Sequence, residues 1–343
     1  NRCMKVLQTS PLPLGYGAVT EIYYTKSGLK CKDKSMKQIL LDCDPGHDDM
    51  AAILLACASP EIELLGITTS AGNQTVEKTF ENARKVLALI GREDVPVYKG
   101  CSMPMVKPLT TAPQIHGKSG LDGAELPEAR VPPEQEHALD YLFRTIDAFP
   151  GITLVVTGPM TNIAMMLKKA PEIAGRIGRF VVMGGTHAMS NVTPAAEFNM
   201  YVDPEAAQIV FHSGVPLTLV TLDVTNRALF TEEDLHRLES TGGKVAKKVA
   251  GLIRFFLQAN NRRYQLGGAP LHDPMTIAWL LHPELLETKR VAVNVETRGE
   301  FTRGRTVFDF YGITGENPNA DVSVDFDLPL FKKLIFDAVR SFD

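Results

Sequence analysis

Short apolar runs alternate with segments of helical spacing through most of this chain, and that alternation restricts its fold more than any other feature. Gln38–Cys43 is an apolar run of strand length, and behind it Met50, Ile53, Leu54 and Cys57 recur on one helix face. The strand pattern returns at Ile62–Thr69, Ile152–Thr157, Phe180–Met183 and Leu217–Leu222. Helical spacing returns at Val76–Ile90, stopped by Gly91, at Glu134–Phe149, from about Asn162, and at Glu205–His212. Serial strand–helix units predict an α/β fold, with an open, mainly parallel central sheet flanked by helices in the Rossmann-like manner. Residues 100–133, rich in Pro, Gly and Thr, read as a long loop. After Thr231 the pattern predicts a mostly helical C-terminal part. Within it, Val291–Glu296 and Thr306–Phe310 read as a late strand pair, and Leu328–Arg340 as a closing helix with Pro329 in its first turn.

The first 36 residues break the alternation. Pro11, Pro13, Gly15, Gly17 and Gly28 interrupt them, and Lys30, Lys32, Lys34 and Lys37 form a basic stretch. Residues 1–36 read as an N-terminal extension, weakly ordered or non-native, with room for a short hairpin around Glu21–Tyr24. Residues 37–343 read as a single catalytic domain. A net charge of -4 gives no reason to expect nucleic acid or an anionic membrane as partner. No apolar run of about 18 residues is present to span a membrane. Cys3, Cys31, Cys43, Cys57 and Cys101 are scattered, odd in number and without a C-x-x-C pair. They suit a reducing, cytoplasmic setting better than a disulfide framework or a zinc site.

Directly after the first strand stands Asp42-Cys43-Asp44-Pro45-Gly46-His47-Asp48-Asp49, with four carboxylates in eight residues. Ligands of open α/β sheets bind beyond the carboxyl ends of the strands, which is where this cluster falls. Four like charges there need a cation or many donors to balance them. Carboxylate oxygens suit calcium or magnesium better than zinc. A plain helix N-terminus, with Pro45 in its first turn, accounts for one or two of the acids but not for four. Asp42 is the weakest member, because it falls within the strand and can simply support the loop.

The segment Ile39–Asp49 resembles the hallmark of the inosine–uridine preferring nucleoside hydrolase family, the ribonucleoside N-ribohydrolases. Further landmarks follow in order. They are Ala71-Gly72-Asn73-Gln74-Thr75, Ile115-His116-Gly117-Lys118-Ser119-Gly120, Thr157-Gly158-Pro159-Met160-Thr161-Asn162, Met183-Gly184-Gly185, Ala196-Glu197-Phe198-Asn199 and Leu271-His272-Asp273-Pro274. The resemblance runs from about Met36 to the C-terminus.

This resemblance implies calcium held by Asp44, Asp49 and Asp273, with the carbonyl of Thr157 as a further ligand. It implies that Asp44 is the general base toward water, that His272 is the acid toward the departing base, and that His116 is a second histidine near the base. Asp48 and Asn73 would meet the sugar, with Asn191, Glu197 and Asn199 on its 5′- and 3′-hydroxyl side and Met183 packed close by. Of the helix Val249–Tyr264, Tyr264 or Arg263 would contact the base. Having both His116 and His272 implies pyrimidine or mixed nucleosides as substrate, since the only tryptophan, Trp279, reads as core. A homodimer or homotetramer is also implied. His47 occupies a variable position and reads as tolerated. His137, His212, His236 and His282 read as ordinary structural histidines. Two alternatives stay open from the residues alone: a magnesium-dependent phosphohydrolase of the haloacid-dehalogenase type, suggested by Asp42-x-Asp44, and a non-catalytic nucleoside-binding protein.

Overall fold

A computed structural model describes residues 36–343, together with the backbone of Glu21–Thr25 and Gly28–Lys32. Those two short segments pair as an antiparallel hairpin, Glu21 opposite Lys32, in the place where a hairpin was expected. The rest of the expected extension over 1–36 lies outside the described residues.

The centre of the molecule is a nine-stranded sheet. Its strands are β1 (Lys37–Cys43), β2 (Ile62–Thr69), β3 (Val97–Lys99), β4 (Ile152–Val156), β5 (Ile177–Met183), β6 (Leu217–Val220), β7 (Leu286–Val295), β8 (Thr306–Asp309) and β9 (Ala320–Phe326). Their spatial order is β8-β7-β9-β6-β5-β4-β1-β2-β3. From β9 to β3 neighbouring strands are parallel, whereas β7 is antiparallel to both β8 and β9. The expected late strand pair is present as β7 and β8. The C-terminal part is less helical than its pattern suggested, because β7, β8 and the unforeseen β9 occupy much of 286–326.

Strand alternation divides the core in two. Ile39, Leu41 and Cys43 of β1 enter one buried cluster, joined by Val155 and Val181. Leu40 enters the other, with Leu154, Val156, Phe180 and Val182. The first cluster includes α1 (His47–Ala58), α2 (Val76–Leu89), α3 (Lys244–Tyr264) and α4 (Pro274–Leu281); the second includes the helices Ala138–Ala148, Thr161–Lys169 and Pro204–Phe211. Ile53 and Phe180 are fully buried, and each such side chain contributes roughly 1.5–3 kcal/mol.

Helix ends follow local chemistry. Gly91, at φ +68°, stops α2 as expected. The helix expected from Glu134 begins at Ala138 instead, because the His137 side chain caps it by accepting from the Leu139 amide. Pro45 is not in a first turn: α1 starts at His47 with Gly46 as its cap. No described helix is long and apolar enough to cross a membrane.

From β1 the chain proceeds outward to β2 and β3, then returns to the other side of β1 as β4. The carboxyl ends of β1 and β4 therefore flank the point where the strand order reverses, the favoured ligand position in such sheets.

Candidate active site

Every early motif leaves the sheet at a carboxyl end. Asp44 follows β1, Asn73 follows β2, Thr157 follows β4, and Gly184-Gly185 follow β5. The late motif arrives differently. Ala269–Pro270 pairs with Leu229–Phe230 in a two-residue antiparallel ladder, and this delivers His272 and Asp273 to the same end of the sheet. The helix α4 that follows packs into the cluster holding α1, through Met275, Ile277 and Ala278.

Asp44 is held by one oxygen. Its Oδ2 accepts from the Asn73 amide at 2.6 Å, while Oδ1 is buried without a partner. Two glycines make room for it: a Cβ at Gly72 would lie 2.1 Å from Oδ2, and one at Gly158 would lie 2.7 Å from Oδ1. Asp49 accepts from the Gly46 amide at 2.9 Å and from the Thr157 hydroxyl at 2.8 Å. Asp48 has an unpartnered buried Oδ1 as well. Asp42, within β1, is tied down by the Thr68 hydroxyl at 2.6 Å and the Asn162 amide group at 2.8 Å. It supports the turn, the lesser role its position suggested.

Oxygens of Asp48, Asp49 and Asp273 all lie within 4.8 Å of one another. Asp48 thus stands in the tightest acidic group, where the resemblance put it against the sugar, and Asp44 stands just outside that trio. Burial raises all four carboxyls, followed for Asp44 by repulsion from Asp49 and for Asp273 by repulsion from Asp48; Asp48 reaches about 8. An apolar interior disfavours so much negative charge unless a cation joins it. Hard oxygen donors, two of them unpartnered, fit a metal of the calcium or magnesium kind.

Beside the acids opens a cavity of about 990 Å³, part of it continuous with solvent. Asp48, Asn73, Thr157 and Asp273 line it toward the acidic group. Met183, Asn191, Glu197 and Asn199 line another part, and His116, His272 and Tyr264 complete the expected set. Of the residues expected in the site, only Asp44 and Asp49 do not reach the cavity surface; they are buried behind it. Glu197 is locked as a helix cap, accepting from the amides of Gly185, Asn199 and Met200. Asn199 donates to the carbonyl of Thr157 at 2.7 Å. Asn191 keeps a buried Oδ1 without a partner.

The two cavity histidines are held in different ways. His272 Nδ1 lies 2.8 Å from the Thr225 hydroxyl, and burial pushes its pKa down to about 4. That departs from the ordinary histidine pKa expected for an acid. His116 is pushed well below its usual value by burial, then by the neighbouring His47 and His272. His47 contacts it directly and is fully buried, so it does more than tolerate its position. His137, His212, His236 and His282 line no part of the cavity, nor does Trp279, which stacks on Arg179.

Some lining residues carried no readable signal. Gln114, on the short helix Pro113–His116, and Asn226, just past the short helix Leu222–Thr225, are two of them. Thr225, the partner of His272, comes from a short helix after β6. No spacing in the sequence joins 225 to 272.

A family profile described as inosine-uridine preferring nucleoside hydrolase matches residues 39–333. The pyrimidine-specific ribonucleoside hydrolase RihA of Escherichia coli is 49% identical over 304 residues, covering 88% of this chain and 98% of its own length. The protein of that name from Citrobacter koseri is 49% identical over 299 residues, covering 87% and 96%. Among solved structures, a purine-preferring ribonucleoside hydrolase from Gardnerella vaginalis superposes with a TM-score of 0.84 at 36% identity, over 89% of this chain and 99% of its own. Neither the phosphohydrolase nor the non-catalytic alternative finds support in these relatives. With the acidic group, the cavity and these matches all in agreement over most of its length, the chain belongs to the inosine-uridine preferring nucleoside hydrolase family.

Proposed function

We propose that this nucleoside hydrolase cleaves the N-glycosidic bond of ribonucleosides with calcium in its acidic group, releasing ribose and free base, and that uridine and cytidine are its better substrates. The observation that carries the reading is the buried carboxylate set, with bare oxygens on Asp44 and Asp48, beside a cavity walled by two histidines. The pyrimidine preference rests on the names of the 49%-identical relatives and on a cavity lined by no tryptophan among the described residues.

Asp48, Asp49 and Asp273 would hold the ion, with Asp44 and the Thr157 carbonyl nearby. Bound there, calcium supplies the positive charge that keeps these acids ionised and polarises a water molecule. Asp44 is the base: its bare Oδ1 takes a proton from the attacking water. Asp48 and Asn73 orient the sugar at the acidic end, and Asn191, Glu197 and Asn199 engage its other hydroxyls. Negative carboxylates beside the ribose stabilise an oxocarbenium-like transition state. The leaving base needs a donor. His272 Nδ1 lies 2.8 Å from the Thr225 hydroxyl, and in this reading the hydroxyl donates there, so that the ring proton sits on Nε2 for that purpose.

Residues 37–343 act as one hydrolase unit in this reading, and the assembly is a homodimer or homotetramer. Strongly exposed Phe301, Tyr311 and Ile313, near the β8 edge, favour a second copy as partner, and sedimentation velocity measures it.

The test is direct. Incubate the protein with inosine, uridine, cytidine and adenosine, and measure reducing sugar, before and after exhaustive chelation and with Asp44→Ala. The reading fails if a folded, calcium-loaded sample hydrolyses no nucleoside. The calcium assignment fails if the chelated protein keeps its rate, or if another divalent ion restores it and calcium does not.

A further inference from the structure

Three side chains spaced four residues apart, in and just before α2, reach the loop that follows His116. Gln74 stands before the helix, Lys78 lies in its first turn and Asn82 comes one turn later. That spacing keeps the helical members on one side. Gln74 Nε2 donates to the Gly117 carbonyl at 2.8 Å, Lys78 Nζ to the Lys118 carbonyl at 2.6 Å, and Asn82 Nδ2 to the Ser119 carbonyl at 3.0 Å. Successive donors thus meet successive carbonyls, in the same order. The carbonyls belong to neither helix nor strand, so their partners have to come from side chains or water.

The amides of the same loop are held as well. Asp122 accepts from Lys118 and Ser119, each at 3.0 Å. Gly120, at φ +92°, allows the close approach to α2: a Cβ there would lie 2.7 Å from Asn82 Nδ2 and 3.1 Å from Gln74 Cγ. The loop is therefore fixed before any ligand arrives, and just ahead of it Gln114, Ile115 and His116 line the cavity.

Asn82 has a contact that Gln74 and Lys78 lack. Its Nδ2 also donates to the Pro45 carbonyl at 3.0 Å, in the turn between Asp44 and Asp48. One buried amide group touches both the turn that bears the acids and the loop that follows His116. His47 spans the same two segments through the Asp122 carbonyl. Lys78, by contrast, is exposed and contacts only Gln74 and the loop.

We propose that Gln74, Lys78 and Asn82 are positioning residues that set the cavity wall formed by Gln114, Ile115 and His116, and with it the affinity for the nucleobase, and that Asn82 also joins this wall to the acidic turn. The inference rests on the cavity taking a nucleoside, as proposed above. A wall ordered in advance spares the substrate the cost of ordering it. Loosening the wall therefore raises KM and leaves kcat in place.

The first test needs no substrate. Hydrogen–deuterium exchange over residues 116–122 should be slow in the wild type and faster in Lys78→Met, which keeps the length of the side chain but has no donor. Unchanged exchange there in both folded Lys78→Met and folded Asn82→Ala overturns the proposal, whether or not the protein is active. The second test is kinetic. In Lys78→Met, KM for uridine should rise about fivefold, the size of one hydrogen bond, with kcat within about twofold. Lys78→Arg, which keeps a donor, should return KM toward the wild-type value. Inhibition by free ribose reads the sugar end: it should be unchanged in Lys78→Met and weaker in Asn82→Ala. A fall in kcat at constant KM, or equal weakening of ribose in both variants, sinks the idea. If Asn82→Ala does not fold, Gln74→Met takes its place in the exchange test, and the KM of Lys78→Met decides.

Discussion

The amide of Asn73 donates to Asp44 Oδ2 at 2.6 Å, and the other oxygen of the same carboxylate is buried with nothing to accept from. One oxygen is therefore committed to orienting the group and the other is free to take a proton. Asp44→Asn keeps the shape but removes the base. We expect kcat to fall by about 10²–10⁴-fold, the usual range for a positioned acid or base, with little change in melting temperature. Initial rates on uridine and a thermal melt check this. A rate within tenfold of wild type would transfer the base role to another residue.

Gly72 tests the same geometry from the backbone side. A Cβ there would lie 2.1 Å from Asp44 Oδ2 and 2.8 Å from Pro159 Cδ, too close for either to remain in place. Gly72→Ala should displace Asp44 and weaken the Asn73 bond. The expected cost is about 1–3 kcal/mol of stability, typical of overpacking, together with a drop in kcat approaching that of Asp44→Asn. Full activity in Gly72→Ala would show that the turn can shift without moving the carboxylate.

Chelation should destabilise the protein as well as stop it. Oxygens of Asp48, Asp49 and Asp273 lie buried within 4.8 Å of one another; burial raises all three pKa values, and repulsion adds to it for Asp48 and Asp273. A cation that binds only the folded chain adds about 2.7 kcal/mol at a hundredfold excess over its Kd. The melting temperature should drop on chelation and return with added calcium, and Asp273→Asn should blunt that response. A melting temperature indifferent to calcium in the wild type would remove the metal from this group.

His272 and its support can be separated from the rest by the leaving group. A pyrimidine departs poorly as an anion, whereas p-nitrophenolate needs no proton. His272→Ala should therefore lose far more activity on uridine than on p-nitrophenyl riboside. Thr225→Val, which removes only the partner at Nδ1, should show the same bias in weaker form. Equal losses on both substrates would strip His272 of the donor role.

The site was legible where chemistry and topology coincide. An apolar run followed by four acids announces a strand ending in a ligand site, and β1 runs straight into Asp44. Glycines beside Asn73 and Thr157 proved necessary for the close approach of that same carboxylate. Other parts were hidden for physical reasons. Strand β9 reads Ala-Asp-Val-Ser-Val-Asp-Phe, more polar than the apolar runs that mark the other strands, yet Ser323 is fully buried there and its hydroxyl oxygen accepts from the Thr221 amide. The contact of His47 with Asp122 uses a backbone carbonyl, which any residue supplies, across 75 positions. No side-chain pattern can announce such a bond. The resemblance put Asp48 against the sugar; only the fold shows its oxygen grouped with those of Asp49 and Asp273.

Tyr264 was expected to touch the base, and the structure gives its hydroxyl other work. It donates to the Asn191 carbonyl at 2.6 Å and lies 3.0 Å from Arg263 Nε, which donates to it. The bond ties the end of α3 to the loop that carries Asn191, across the cavity that both line. Tyr264→Phe leaves the ring and removes the tie. One hydrogen bond contributes about 1 kcal/mol, so KM should rise severalfold, because the loop must be ordered by substrate instead. The chemical step lies elsewhere, at Asp44 and His272, so kcat should stay within about twofold, as for loss of an interaction made equally in the ground and transition states. Steady-state kinetics on uridine separates the two. A fall in kcat at unchanged KM would mean that the hydroxyl leaves Asn191 and meets the substrate in the transition state.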